Sequence, residues 1–540
     1  MDFKINSMKK TITSIALVLL STIAFGNNVN LTNVSILNNG PDSVQVQFDL
    51  SWENSWRVNT GPNNYDGVYV FFKYRTPGGV WLPLYLTYTD NVLPTGATTQ
   101  YNFSSSAGSI PGEVVFRSGN GIGNVSFTGI KLGVDAALPY NIEVRGFALE
   151  VVYIPKVLNP NGFIIGDGDG TNEAIYAFHA TSLNNKSVQI PSTGSIAVDV
   201  NFFDDAILEA GVSVGDELVG GNGSFPVTSG MWCMKYELSQ AAYRDFLNTL
   251  TVAQQTTRTA TAPTSVTGTG ALIAVAGTGR MYIEVATPAS GATPAVYGCD
   301  ANNNNTYDEA TDGEWVSCNY LSWGDVAAYL AWCGMAPMTE LGYERICRGN
   351  TVVTPMPSIY GEYAWGSNTL NSSALSLANA TAANETANGT SLTLGNANTL
   401  SNAINGPARN GIFAGPSTSR ITSGAAFFGV MDMTGNLGEP CITIGNVAGR
   451  SFSKGFSFGT LSTLGNATAL PWPNNTIANN SISCSTGCEI TGSAGTIVRG
   501  ADFGYNGTTL FMSDRTQGVF PSSRLQFYGC RGIFYLETPL

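Results

Sequence analysis

Charge is scarce in this 540-residue chain: only 12% of its residues are Asp, Glu, Lys or Arg, about half the share of an average soluble domain. Asn, Thr, Ser and Gly must therefore wet most of its surface. The net charge is −13, which excludes a basic face for nucleic acid or anionic lipid. Histidine is scarcer still. The single His179 excludes His-rich metal sites and a Ser-His-Asp triad with any redundancy; beside Phe178 it reads as a packed or surface residue. The first 232 residues contain no cysteine. Beyond the N-terminus no stretch of roughly 18 apolar residues runs uninterrupted, so no membrane span is expected in the mature chain. No solenoid-type period is present.

What is there begins with an export signal. Lys9 and Lys10 precede an apolar run, 15–23, and small residues follow at Ala24 and Gly26. The run is short for a bilayer, which predicts a signal peptide over 1–26, cleaved near Gly26. No cysteine stands there to carry a lipid. Removing it takes away Asp2, Lys4, Lys9 and Lys10 and moves the net charge from −13 to −15. The mature protein is then expected to be exported, extracellular or at the cell surface, with the periplasm also open. Its nine cysteines lie between Cys233 and Cys530. Export predicts structural disulfides, and the odd count leaves a thiol unpaired or bonded between chains. Cys484 and Cys488 are close enough in sequence to close a small loop.

The length predicts two domains. From Asn27 to about Phe147 the pattern is β. Residues 44–52 alternate apolar and polar, which places one face in a core and the other in water. Segments 68–74, 81–88, 114–117, 125–132 and 142–148 are further predicted strands, separated by Gly, Pro and Asn turns. Strands at this spacing predict an immunoglobulin-like β-sandwich over 27–147, a module suited to spacing, docking or ligand binding. A second domain, 148–540, opens with apolar segments at 151–155 and 163–166. Two amphipathic helices are predicted behind serine caps: 239–250, with Tyr243, Phe246, Leu247 and Leu250 on one stripe, and 322–333, with Val326, Tyr329, Leu330 and Cys333. A shorter helix is predicted from Thr339 to Arg348, stopped by Gly349. Segments 251–294, rich in Thr, Ala and Gly, and 367–406, rich in Asn, Ala, Ser and Leu, read as inserted surface loops. The expected class is α+β: an N-terminal β-sandwich, then an irregular, loop-rich domain.

Three sequence blocks recur in the second domain: 318–349 (CNYLSWGDVAAYLAWCGMAPMTELGYERICRG), 428–439 (FGVMDMTGNLGE) and 498–532, which opens VRGADFGYN and closes GCRG. With Glu237-Leu238-Ser239-Gln240, Pro337-Met338-Thr339-Glu340 and the Trp365-Gly366 step, they resemble the sulfatase-modifying-factor family, whose members include formylglycine-generating enzymes. The resemblance implies a fold related to C-type lectins, with 163–166 in its opening strand. It implies buried carboxylates that pin loops at the 237–240 and 337–340 motifs, and loop-bridging arginines at Arg515 and Arg531. It also implies calcium at Asn436 and Glu439, an oxygen pair that suits Ca²⁺; the alternative is that Asn436 caps a turn and Glu439 pairs with an arginine. The family's second calcium site is absent or altered, since no acidic residue follows Asn398 at a matching distance. Independently of the family, Asp300, Asn302, Asn304 and Asp308 place oxygens at alternate positions, as calcium loops do, but with no glycine at the sixth position and no glutamate at the twelfth. A solvated acidic turn is the other reading.

Family catalysis uses two cysteines shortly after the Arg-Gly of the third block, to bind copper and engage a substrate thiol. From Arg499 to Gly529 this chain has none. Tyr505 and Leu510 stand near those positions, and neither replaces a soft copper ligand; Cys530, beside Arg531, reads as core. Copper is therefore not expected. The expected function is binding, scaffolding or self-assembly at the cell exterior by a catalytically silent domain. The alternatives are a formylglycine-generating oxidase acting on a sulfatase cysteine, and a structural subunit of a surface layer or fibre. Non-catalytic relatives that display ligand-binding residues in this block imply a face made of Tyr505, Asn506, Thr508, Phe511, Phe520, Arg524, Gln526 and Phe527. Aromatics mixed with Asn, Gln and Arg suit a protein or glycan partner, or another copy of the chain. For Phe511 and Phe527 a place in the core is the alternative.

Overall fold

Alternating apolar residues and β-branched or aromatic runs make the N-terminal third of the chain sheet. The computed structural model describes residues 28–38, 44–101, 109–135, 138–139, 141–157, 162–167, 177–178, 187–190, 196–198, 216–218, 229–349, 358–450, 452, 457–469, 472–474, 489–518 and 520–536. The expected export signal, His179 and the Cys484–Cys488 loop lie outside them.

Eight strands come first: β1 (Asn30–Asn38), β2 (Val44–Arg57), β3 (Asp66–Arg75), β4 (Leu82–Leu84), β5 (Ala97–Tyr101), β6 (Gly112–Arg117), β7 (Gly121–Gly133) and β8 (Glu143–Ile154). β1, β2 and β7 form one antiparallel sheet. β2 alternates in burial as its sequence predicts, sending Val46, Phe48, Leu50 and Trp52 inward against Val68, Val70 and Phe72 of β3. β1 and β5 escape the sequence reading; polar residues dilute their alternation. The predicted strand 81–88 shrinks to the three residues of β4.

β3 is buried on both faces. Its other side, Tyr69 and Phe71, packs into the main core with Trp232, Trp332 and Phe534. Phe71 stacks on Phe147 at 5.1 Å and meets the Trp332 ring edge-on at 5.1 Å. The β1–β2–β7 sheet covers one face and the main core the other, while the sheet itself runs on past β8. β8 pairs with β3 on one edge and with Met231–Met234 on the other. Beyond that come Gly532–Tyr535, Ala336–Thr339, Glu439–Ile442 and Thr496–Arg499, in one ten-stranded sheet that also holds β6, β5 and β4. The expected boundary at 147/148 thus falls inside β8. The molecule is a sheet-rich α+β structure with few helices.

Those helices are α1 (Gln240–Leu247), α2 (Val252–Arg258), α3 (Trp323–Cys333), α4 (Glu340–Arg348) and a short turn at Val447–Arg450. Ser239 caps α1, accepting from the Ala242 amide at 3.2 Å. Ser322 and Asp325 cap α3 reciprocally. Helix α3 ends at Gly334, where φ is +80° and a Cβ would come within 2.5 Å of Pro111 Cβ, so only glycine fits. The α1 stripe lies on α3, with Phe246 and Trp332 rings 5.3 Å apart. The segments expected as surface loops carry structure: α2 and Ile283–Thr287 in the first, Ser376–Ala378 paired with Thr386–Asn388 in the second. Among the described residues no helix is long and apolar enough to cross a membrane.

Candidate functional site

The third sequence block closes the ten-stranded sheet, and buried ion pairs hold it there. Arg499, at the end of its strand, reaches Glu344 at 2.7 Å and Glu340 at 3.4 Å. Arg515 donates to Glu340 at 2.9 Å, while Thr443 Oγ1 and the Ile444 amide donate to the other Glu340 oxygen. Burial alone would raise the Glu340 pKa, but Arg515 and Arg499 outweigh it and hold the carboxyl below its usual value. Arg531 pairs with Glu439 at 2.6 Å and donates to the Met234 and Met431 carbonyls. Glu237 accepts the Leu437 amide at 3.0 Å and the Asn436 side-chain amide. Arg515, Arg531, Glu237 and Glu340 thus bridge loops in the buried core.

After Arg499 the chain reverses through Gly500 and Ala501, both at positive φ, and reaches the surface at Tyr505. The Phe503 amide donates to the Asn436 carbonyl at 3.0 Å, and the Leu400 amide donates to the Tyr505 carbonyl at 3.1 Å. Asn506 Oδ1 accepts from the Ser401 amide and hydroxyl, at 3.1 and 3.0 Å. Asp502 lies buried beneath, accepting from the Gly504 amide and the Gln517 side chain; burial pushes its pKa up to about 6. Burial, and then the charges of Asp502 and Tyr505, push Tyr528 up to about 12. Leu400, 58% exposed, borders the 39%-exposed Tyr505. Leu400, Ser401, Asp502, Gln517 and Tyr528 were not singled out from sequence. Leu400 and Ser401 belong to the 367–406 segment, and no local pattern couples that segment to Tyr505.

The eight residues of the expected face do not stay together as a surface. Tyr505 and Asn506 are exposed and Thr508 is half-buried. Phe511 is also half-buried, its ring 5.2 Å from Tyr363. Phe520 is fully buried against Tyr528, a correction whose cause is that its ring joins the main hydrophobic core. Phe527 packs its half-buried ring on Phe503 at 5.4 Å. Gln526 is half-buried, and its carbonyl accepts from Asn319 at 3.0 Å. Arg524 is a brace: it pairs with Asp325 at 2.7 Å and donates to the Thr257 and Thr259 carbonyls.

No family model matches this chain. A search of the curated proteins likewise finds no significant match. Function must therefore be argued from the residues themselves.

Most of the oxygens expected to hold calcium accept hydrogen bonds within the protein. Asn436 Oδ1 accepts from the Ala408 amide at 2.8 Å and from Asn398 at 3.1 Å, and Glu439 is held by Arg531. The Arg531 guanidinium sits on Glu439 Oε1 alone, while Glu439 Oε2 is buried with no hydrogen-bond partner. In the 300–308 loop both Asp300 oxygens accept backbone amides, from Asn304 and Asn305. Asn302 and Asn304 each accept one backbone amide, from Asn304 and Thr306. Asp308 accepts from the Cys299 amide and pairs with Arg244. The loop is folded as a hydrogen-bonded acidic turn. Among the described residues no three His, Cys, Asp or Glu side chains are grouped to hold a metal.

Disulfides need a matching correction. Cys233, Cys299, Cys318, Cys333, Cys347, Cys441 and Cys530 are all free and buried. Burial raises every one of these thiols. They fill the core as small apolar side chains spread over strands, helices and loops.

Proposed function

We propose that this chain is an exported surface protein whose C-terminal part is a catalytically silent sulfatase-modifying-factor-like domain, related to the C-type lectin fold and joined to an N-terminal β-sandwich. It binds, scaffolds or self-assembles at the cell exterior. One observation carries the reading. Where the family resemblance calls for a cysteine pair, Tyr505 stands at the surface and Leu510 is buried. Supporting it, the seven described thiols sit in the core with raised pKa values, the state least able to form the thiolate that attacks or binds a soft metal. The carboxylates and arginines of the motifs are spent on one another as loop bridges. That fits a scaffold that presents a surface.

The surface this proposal uses is Tyr505 and Asn506 with Leu400 and Ser401 from the neighbouring turn. An exposed aromatic beside amide and hydroxyl groups suits a protein or glycan partner, or a second copy of the chain. The experiment is direct: incubate the purified protein with copper and a peptide carrying a sulfatase cysteine motif, beside an active formylglycine-generating enzyme, and weigh the peptide. Unchanged mass is expected. Conversion of the cysteine to the aldehyde would overturn the proposal in favour of an oxidase.

A further inference from the structure

A cavity of about 370 Å³ lies between the N-terminal strands and the ends of α1 and α3, within the range of small-molecule sites. Trp81, Leu82, Leu250, Trp332 and Leu461 supply apolar walls, and Val80 and Leu82, 55% and 43% exposed, stand at its opening. One cation lines it. Lys73 of β3, only 2% exposed, donates to the Trp332 carbonyl at 2.7 Å and the Gly459 carbonyl at 2.8 Å. Its ammonium lies 5.2 Å from the Trp332 ring.

Several other buried cations of the molecule have carboxylate partners: Lys235 has Glu150 at 2.8 Å, Arg348 has Glu344 and Glu362, Arg531 has Glu439. Lys73 has only carbonyl oxygens, and no carboxylate pairs with it among the described residues. Such a charge is costly in an apolar setting. Burial accordingly lowers the Lys73 pKa to about 7, against a smaller opposing effect of Cys333. Two arginines stand nearby, and Asp245 and Glu143 act on Arg145. Arg145 is the cross-strand partner of Lys73, and Arg145 and Arg75 lie 4.7 and 4.6 Å from the Trp81 ring. Arg75 is neutralised by Glu143 at 2.7 Å.

We infer that this cavity binds a small monocarboxylate with an apolar body, whose carboxylate supplies the counterion that Lys73 lacks. The apolar walls take the body, and the aromatic rings Trp81 and Trp332 lie against it. This site is separate from the Tyr505 surface and stands or falls independently of it.

The test uses the full mature protein, with decanoate and decanol as probes and binding followed by calorimetry and by tryptophan fluorescence. Decanoate is expected to bind saturably, and decanol at least ten-fold more weakly. Lys73→Met should lose at least ten-fold in decanoate affinity while leaving decanol unchanged. Should that variant fail to fold, Leu82→Glu, which sets a like charge at the exposed opening, should weaken decanoate at least ten-fold and decanol far less. Equal binding of the two probes would overturn the assignment. So would no saturable binding of decanoate, or a Leu82→Glu variant that leaves decanoate affinity unchanged.

Discussion

Arg524 and Tyr505 share a stretch of chain that reads as one recognition face, yet they do different work. The guanidinium of Arg524 ties Asp325, at the first turn of α3, to two carbonyls at the end of α2. Arg258 also pairs with Asp325, at 3.2 Å, so removing Arg524 does not strand that carboxylate. Breaking a fully buried pair costs about 3–5 kcal/mol; with Arg258 remaining, Arg524→Ala should cost about 2 kcal/mol. Tyr505→Ala, at an exposed position, should change stability by no more than about 0.5 kcal/mol. Denaturant unfolding of the two variants checks the contrast, and equal losses would refute it. Sequence could list both residues but not separate them. Whether a side chain points to water or to a carboxylate some 200 residues away is not written in its neighbours.

At the scale of elements, the local code was readable. Serine caps, apolar stripes and a terminal glycine placed α1, α3 and α4 to within a few residues, because a helix satisfies its backbone locally and its ends need local partners. What α4 does is not written in its local sequence. It carries Glu340 and Glu344 to Arg499 and Arg515 inside the core, with its own Arg348 also paired to Glu344. Because its folded pKa lies below the ordinary 4.5, Glu340 contributes stability that is full above about 4.5. That contribution is lost as pH falls through the folded value. Glu340→Gln should therefore cost about 3 kcal/mol or more at neutral pH, and the gap to the unaltered protein should shrink at about pH 3. Urea unfolding of both proteins at the two pH values measures it. A gap that stays constant with pH would show that the charge of Glu340 is not what stabilises the fold. Strands were harder to read: β1 and β5 owe their existence to partners across the sheet, and their own alternation is weak.

For the whole molecule, β8 matters most. It crosses the expected domain boundary and is hydrogen-bonded to β3 on one side and to Met231–Met234 on the other, while β3 is packed on both faces. Cutting the chain near residue 147 would expose Tyr69, Phe71 and Phe147 to water, a loss of about 1.5–3 kcal/mol of burial for each side chain of this size. The two halves should unfold together. Calorimetry of the mature protein is expected to show one transition, with calorimetric and van't Hoff enthalpies in agreement; two resolved transitions would contradict a shared sheet.

The sequence by itself determined the α+β class, the three capped helices, the lack of any cysteine from Arg499 to Gly529 and the scarcity of charge. Each of these follows from composition or from contacts within a few residues. Only the tertiary structure decided that the sheet is continuous, that Arg531 pairs with Glu439, that seven cysteines are core residues, and that Lys73 is buried beside a cavity with no carboxylate partner among the described residues. Those outcomes depend on which distant side chain the fold brings to a buried group. In an apolar interior, that arrival decides whether a charge is paired, neutralised or left waiting for a ligand.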